Sequence, residues 1–127
     1  MPLVFQNYIH RQDLRENSEV LYLFGDNEVR QGFGGQAREC RGEVNAVGIA
    51  TKKYPDMQEH SFWSDDEFER VKKILDMDLS RAITHLKNGG IVVCPKNGLG
   101  TGLSKLPEKA PKVFQYLVSQ IEEMAKL

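Results

Sequence analysis

The chain has 127 residues, of which 28% are charged and 40% hydrophobic, and its formal net charge at pH 7 is −1. This length predicts one domain over residues 1–127, and the charge balance gives no support for a basic nucleic-acid-binding protein. No apolar run approaches the roughly 20 residues that cross a bilayer, and the first residues lack a secretory signal pattern. We therefore expect a cytoplasmic protein with no membrane partner.

The cysteines and histidines predict neither a disulfide nor a metal site. Cys40 and Cys94 are far apart and show no CxxC spacing, so we expect two free thiols. The three histidines are scattered without metal-ligand spacing. The sequence therefore predicts no metal and no resident cofactor, and it leaves the oligomeric state open.

Apolar runs and helical periodicity alternate along the chain. A short helix is expected where the glycines of residues 34–35 begin it and Gly42 ends it. A long helix opens at the capping-box pattern of residues 64–67 and ends at residues 88–90, whereas the segment before it, residues 52–62, is expected to be a loop. The predicted strands are residues 3–8, 20–24, 46–51 and 91–94, and the predicted helices are residues 34–41, 64–87 and 111–126.

This alternation predicts an α/β fold, a single compact three-layer domain with a mainly parallel or mixed sheet flanked by helices. The long helix gives the clearest phase, because its apolar residues recur at helical spacing. Its predicted buried face consists of Phe68, Val71, Leu75, Leu79, Ala82, Ile83 and Leu86.

Two glycine-rich loops, residues 25–37 and 95–105, follow the second and fourth predicted strands. Glycine lets backbone N–H groups turn toward one point and lets a ligand approach closely. Because the carboxyl ends of parallel strands share one edge, the loops are expected to form one cradle for phosphates or a pyrophosphate, aided by a helix N-terminus. The alternative is two tight turns that need positive φ.

Two familiar phosphate-binding patterns do not fit these loops. A Walker loop has a lysine directly after its last glycine, whereas Lys105 lies three residues past Gly102. Residues 32–37 match the relaxed dinucleotide pattern GxGxxA, but residues 25–31 separate them from the strand. The acidic residue expected about twenty positions later is also missing. We therefore exclude a P-loop ATPase or kinase and a Rossmann dehydrogenase.

The order of the motifs resembles the macrodomain family, whose members bind ADP-ribose, and most closely the branch that contains terminal ADP-ribose protein glycohydrolase. The resemblance spans about residues 20–117. It is carried by the polar segment that leads into the first glycines, by the Ile-Ala-Thr-Lys-Lys stretch and by the Gly-Leu-Gly-Thr-Gly-Leu motif of residues 98–103. It implies a macrodomain-like fold whose loops clasp the diphosphate and distal ribose. The implied partner is ADP-ribose or an ADP-ribosylated protein or nucleic acid.

The predicted ligand-binding residues come from both loops and from the end of the third strand. Asp26 and Asn27 either bind the adenine or proximal ribose or form a local Asx turn. A Cβ at Gly34 or Gly100 is expected to occupy ligand space. The full set is Asp26, Asn27, Gly32, Gly34, Gly35, Gln36, Thr51, Asn97, Gly98, Leu99, Gly100, Thr101, Gly102 and Leu103.

Neighbouring arginines and aromatic residues allow two interpretations each. Arg38 and Arg41 are expected to be solvated on one face of the short helix, although they would otherwise extend a positive lining. Tyr54, Phe62 and Trp63 either stack on a base or pack against the long helix.

Lys52 is the candidate catalytic residue. A lysine at a strand end beside a phosphate site attacks an anomeric carbon or simply neutralises phosphate charge, and a solvated surface lysine is the alternative. The resemblance implies that this lysine forms a covalent sugar adduct and that an aspartate after the second glycine motif completes turnover. Ser104 occupies the position of that aspartate. Because serine is a poor general base near neutral pH, we expect ADP-ribosyl hydrolysis to be slow or absent.

Several functions are therefore open from the sequence. The first is ADP-ribose binding, with or without removal of ADP-ribose from modified macromolecules. Another is a non-catalytic sensor or sponge for a different nucleotide or an NAD-derived signal. A third is an interaction domain whose glycines are only structural.

Overall fold

The four predicted strands pair as one parallel sheet in a computed structural model, which describes residues 2–127. They are β1 (Leu3–Gln6), β2 (Leu21–Asp26), β3 (Ala46–Ala50) and β4 (Val92–Pro95). Their order in the sheet is β1-β4-β2-β3, so β2 and β4 lie side by side at its centre. The first strand ends at Gln6, two residues earlier than predicted.

Five helices accompany the strands within the described residues. Three match predicted segments, and α3 follows a short 3-10 turn at Asp65–Glu67, where the side chain of Ser64 makes no capping hydrogen bond. The two unpredicted helices, α1 and α4, each bury a single side chain and so leave no periodic pattern in the sequence. The helices are α1 (Arg11–Glu16), α2 (Ala37–Cys40), α3 (Phe68–Lys87), α4 (Leu106–Lys109) and α5 (Pro111–Met124).

Side chains alternate across β2 and so divide the core into two halves. Leu21 and Leu23 belong to a cluster with the buried residues of α3, α4 and α5. Tyr22 and Phe24 belong to a second cluster, with the buried residues of α1 and α2. Helices thus cover both faces of the sheet, and the predicted three-layer α/β fold is confirmed.

The predicted face of α3 supplies much of the larger cluster. Val71, Leu75, Leu79 and Ala82 are fully buried at 0% exposure and Leu86 is buried as well, whereas the predicted Phe68 and Ile83 are only partly buried. Cys40 and Cys94 are buried free thiols, as expected from their spacing. None of the helices in residues 2–127 is long and apolar enough to cross a membrane.

The chain leaves β2 and β4 toward opposite faces of the sheet. After β2 it runs to α2 on one face, whereas after β4 it runs to α4 and α5 on the other. Because the two strands are neighbours, their outgoing loops diverge and leave a crevice at the carboxyl edge of the sheet. Parallel α/β sheets bind their ligands at such a switch point.

Candidate functional site

A cavity of about 370 Å³ occupies this crevice, and both glycine-rich loops line it. The ends of β2 and β3 contribute the remaining predicted site residues. Leu99 does not line the cavity, because its side chain is 4% exposed and packs in the core with α4 and α5. The predicted residues that line the cavity are Asp26, Asn27, Gly32, Gly34, Gly35, Gln36, Thr51, Lys52, Asn97, Gly98, Gly100, Thr101, Gly102 and Leu103.

The backbone of both loops carries unused hydrogen-bond donors. Within residues 2–127, the N–H groups of residues 32–36 and of residues 99–104 donate to no acceptor of the chain. A backbone N–H without a protein partner takes one from solvent or from a ligand. Consecutive N–H groups of this kind form a concave anion-binding surface. The helix that follows the first loop, α2, has only four residues, so its dipole adds little to the attraction for an anion. The N–H groups themselves are the main anion-binding feature of the loop.

The first loop is held in shape by Arg41, which sequence analysis placed in solvent. The Arg41 side chain is only 17% exposed and forms an ion pair with the carboxylate of Asp26. Its Nε also donates to the carbonyl of Gly32 at 2.7 Å. The sequence contained a hint of this contact, because Asp26 directly follows a strand that was expected to be buried, and a buried carboxylate needs a cationic partner. Arg41 therefore stabilises the loop.

Asn27 and Gln36 also have partners within the chain. The side-chain amide of Asn27 donates to the carbonyl of Gln31 at 2.7 Å, and the backbone N–H of Asn27 donates to Asp26 Oδ1 at 2.8 Å. Gln36 accepts from the N–H of Ile9 at 2.7 Å and donates to the Ile9 carbonyl at 2.8 Å. Asn27 thus bonds within its own loop, but not as an Asx turn, because its Oδ1 accepts from the N–H of Gln31 and not from the N–H two residues later. Gln36 ties the first loop to the segment that follows β1.

The second loop depends on Gly100. This residue has φ +79°, and a Cβ added to it would lie 2.9 Å from Leu106 Cδ2 and 3.2 Å from Thr51 Cγ2. The N–H of Leu106 donates to the Gly100 carbonyl at 2.8 Å. The expectation that a Gly100 Cβ fills ligand space is therefore wrong, because that Cβ would collide with the protein. Gly102 differs, since its φ is ordinary and its Cβ would meet nothing within 4 Å.

Leu103 and Thr101 complete the second loop. A Cβ at Gly34 would lie 2.8 Å from Leu103 Cδ1, so the exposed Leu103 side chain reaches from the second loop to the first. The expected clash of a Gly34 Cβ is thus with this flexible side chain. The Thr101 hydroxyl donates to the Asn97 carbonyl at 2.7 Å. It therefore braces its own loop.

Lys52 is buried, not solvated, with 4% of its surface exposed. Its ammonium donates to the Asp56 carbonyl at 2.6 Å, lies 3.7 Å from the thioether of Met57 and lies 4.6 Å from the centre of the Phe62 ring. Burial lowers the pKa of Lys52 below its ordinary value, and the nearby Asp56 offsets this only in part. Lys52 is therefore a cavity-lining lysine with a carbonyl partner and a weakened preference for the charged form.

Ser104, which stands where the resemblance implies an aspartate, forms a hydroxyl pair with Thr51. Ser104 is buried and lines the cavity, and its Oγ lies 2.5 Å from Thr51 Oγ1. Thr51 Oγ1 in turn lies within hydrogen-bond distance of the Asp26 carbonyl, at 3.3 Å. Neither Asp26 nor Glu108 takes the place of an aspartate here, because Asp26 is ion-paired with Arg41 and Glu108 does not line the cavity.

Two aromatic residues at the cavity differ from those expected to stack there. Phe62 and Trp63 are buried, and Trp63 Nε1 donates to Glu28 at 2.7 Å. Tyr54 is exposed and lies edge-on to His60, without lining the cavity. Phe33 and Tyr8 line it instead, and Tyr8 was missed because it follows β1, whose pairing with β4 the sequence does not reveal.

A family model described as a family of unknown function, DUF7831, matches residues 4–120. Because this match covers most of the chain, the protein belongs to that family. No curated protein and no solved structure matches the chain.

Proposed function

We propose that the chain is a macrodomain-like protein that binds ADP-ribose, or an ADP-ribosyl group on a protein or nucleic acid, in the cavity between the two glycine loops. The main support is that two runs of backbone N–H groups have no acceptor in the described chain and that the loops carrying them line the same cavity. A pyrophosphate presents several anionic oxygens, and such groups of N–H donors bind anions of this type. The cavity volume is also within the usual range of small-molecule sites.

The binding test uses calorimetry of the purified protein with ADP-ribose, together with its melting temperature. We expect saturable binding and a melting temperature that rises with ligand concentration. Gly102 lines the cavity, its φ is not left-handed and an added Cβ meets nothing within 4 Å. We therefore expect Gly102→Val to weaken binding at least about tenfold, equivalent to about 1.4 kcal/mol, and to leave the unliganded melting temperature unchanged. Ser119→Val on the exposed face of α5 is the control for the added side chain. Unchanged affinity in Gly102→Val contradicts the proposed site.

A second candidate function is removal of ADP-ribose from modified macromolecules through Lys52. The observation that favours it is a buried lysine which lines the cavity, has a lowered pKa and is not ion-paired. A neutral lysine amine can attack the anomeric carbon, so that a C–N bond forms as the glycosidic bond to the modified group breaks. The modified group leaves with the bonding electrons and takes up the proton that the amine loses. Ser104 and the ion-paired Asp26 supply no strong base for release of the resulting adduct.

Intact-mass spectrometry after incubation with an ADP-ribosylated protein and a reductant tests this second function. We expect an adduct of one ADP-ribosyl group that is lost in Lys52→Met and kept in Lys53→Met, since Lys53 is instead ion-paired with Glu67. Ser104→Asp should accelerate release of ADP-ribose. Rapid release that survives Lys52→Met assigns the chemistry to another group, and binding with neither adduct nor release supports a non-catalytic sensor or sponge.

A further inference from the structure

The polar side chains deep in the cavity are occupied by the protein itself. Both carboxylate oxygens of Asp26 face the guanidinium of Arg41, and Arg30 Nη1 lies 3.7 Å from Asp26 Oδ2. Asn27 donates to the Gln31 carbonyl and accepts from the Gln31 N–H, and Gln36 does the same with Ile9, so one donated and one accepted bond hold each amide toward the protein. A nucleobase is identified through hydrogen bonds to its edge. The bonds that these three side chains make within the protein fix their orientation and use part of their hydrogen-bonding capacity.

Among residues 2–127, the largest set of cavity donors without a partner in the protein consists of the backbone N–H groups of residues 32–36 and 100–104. Such groups bind anionic oxygens and are indifferent to the base that a nucleotide carries. The side-chain amides of Asn7, Gln31 and Asn97 also line the cavity, but all three residues are exposed. At that position a hydrogen bond to a base replaces one to water and contributes little net free energy.

Two aromatic side chains supply the remaining contact surface for a base. Tyr8 is 44% exposed and Phe33 is 62% exposed, and both line the cavity. Aromatic side chains stack on every nucleobase, because purines and pyrimidines alike have a π-face. Stacking on these two rings thus adds binding affinity but does not distinguish one base from another.

We infer that the cavity selects its ligand by the pyrophosphate and accepts purine and pyrimidine bases alike, so that its ligand class is the nucleoside diphosphates and their ribosyl derivatives. The inference rests on the proposed function, since it concerns the same cavity. It adds that the Asp26–Arg41 pair determines the shape of the site and does not identify the base.

Competition calorimetry with ADP, GDP, UDP and CDP against bound ADP-ribose tests this inference, with adenosine as the ligand that lacks phosphate. We expect the four diphosphates to compete with affinities within about tenfold of one another and adenosine not to compete. A preference for ADP above tenfold, competition by adenosine, or no competition by any diphosphate overturns the inference while ADP-ribose binding stands. Failure of ADP-ribose and of all four diphosphates to bind overturns the proposed function itself.

A pair of variants tests the stacking contribution. Phe33→Ala should weaken ADP and UDP binding by similar factors of about fivefold or more. Phe5→Ala removes an aromatic ring that is 50% exposed on β1 and does not line the cavity, so affinity should be unchanged. A loss in Phe33→Ala that is confined to ADP indicates a base-selective contact and overturns the inference.

Discussion

The same substitution at two glycines of the second loop should have opposite effects on stability. At Gly100, alanine must adopt φ +79° and bring its Cβ to 2.9 Å from Leu106 Cδ2 and 3.0 Å from Leu106 Cβ. The left-handed conformation costs an L-residue about 1–2 kcal/mol, and overpacking typically costs about 1–3 kcal/mol. We therefore expect Gly100→Ala to lower the free energy of unfolding by about 2–5 kcal/mol.

At Gly102 neither cost arises, because φ is ordinary and the added Cβ meets nothing within 4 Å. Alanine there restricts the unfolded chain more than the folded one, so the free energy of unfolding should stay the same or rise by up to about 1 kcal/mol.

Urea unfolding followed by the fluorescence of the single, buried Trp63 measures both effects. With a urea dependence of about 1–3 kcal/mol per molar, Gly100→Ala should lower the midpoint by about 1 M or more, whereas Gly102→Ala should leave it in place or raise it. Equal shifts in the two variants, or a Gly100→Ala loss below about 0.5 kcal/mol, would refute the assigned conformation of the loop. The cradle of N–H groups depends on that conformation.

Three other changes test the core, the loop clamp and the buried lysine. Leu75→Ala should lower the free energy of unfolding by about 2–5 kcal/mol. Met77→Ala removes a side chain of the same helix that is 76% exposed, and it should change the free energy of unfolding by under about 0.5 kcal/mol. Similar losses in the two variants would show that the helix phase is wrong. Arg41→Leu leaves the buried Asp26 carboxylate without its main partner and should cost about 3 kcal/mol, while the exposed Arg38→Leu should cost little in the same urea titration. Burial lowers the pKa of Lys52 below the ordinary 10.5, so folding disfavours the charged form of this lysine. The wild type should therefore gain stability relative to Lys52→Met as the pH rises toward 10.5. A stability difference that does not change with pH would contradict the lowered pKa.

The sequence predicted the sheet well because its strands are covered on both faces. Such strands are short continuous apolar runs, and their boundaries differ from the predicted ones by only a residue or two. The helices α1 and α4 gave no signal, since Leu14 and Leu106 are the only side chains that each buries. Periodicity needs several buried residues on one face.

The glycine loops were predicted as one site for a related reason. Glycine spacing after a strand has a backbone meaning that does not depend on distant neighbours. The roles of Arg41 and Tyr8 depend instead on tertiary contacts, with Asp26 for the first and with the β1–β4 pairing for the second. Leu99 shows that not every residue of a binding motif contacts the ligand cavity. It lies between two glycines that line the cavity, but its own side chain packs in the core.

Side chains and backbone groups have different roles at the cavity, and this difference bears on whether the proposed function is binding or catalysis. Side chains with fixed partners, such as the Asp26–Arg41 pair, stabilise the loops, and their hydrogen bonds are spent on that task. The backbone N–H groups are left for the ligand, and they stabilise negative charge without moving a proton. A site of this kind suits the proposed binding of a pyrophosphate better than it suits turnover. Catalysis would additionally require a base beside Lys52, and Ser104 at the cavity wall is the position where a single substitution to aspartate would introduce one.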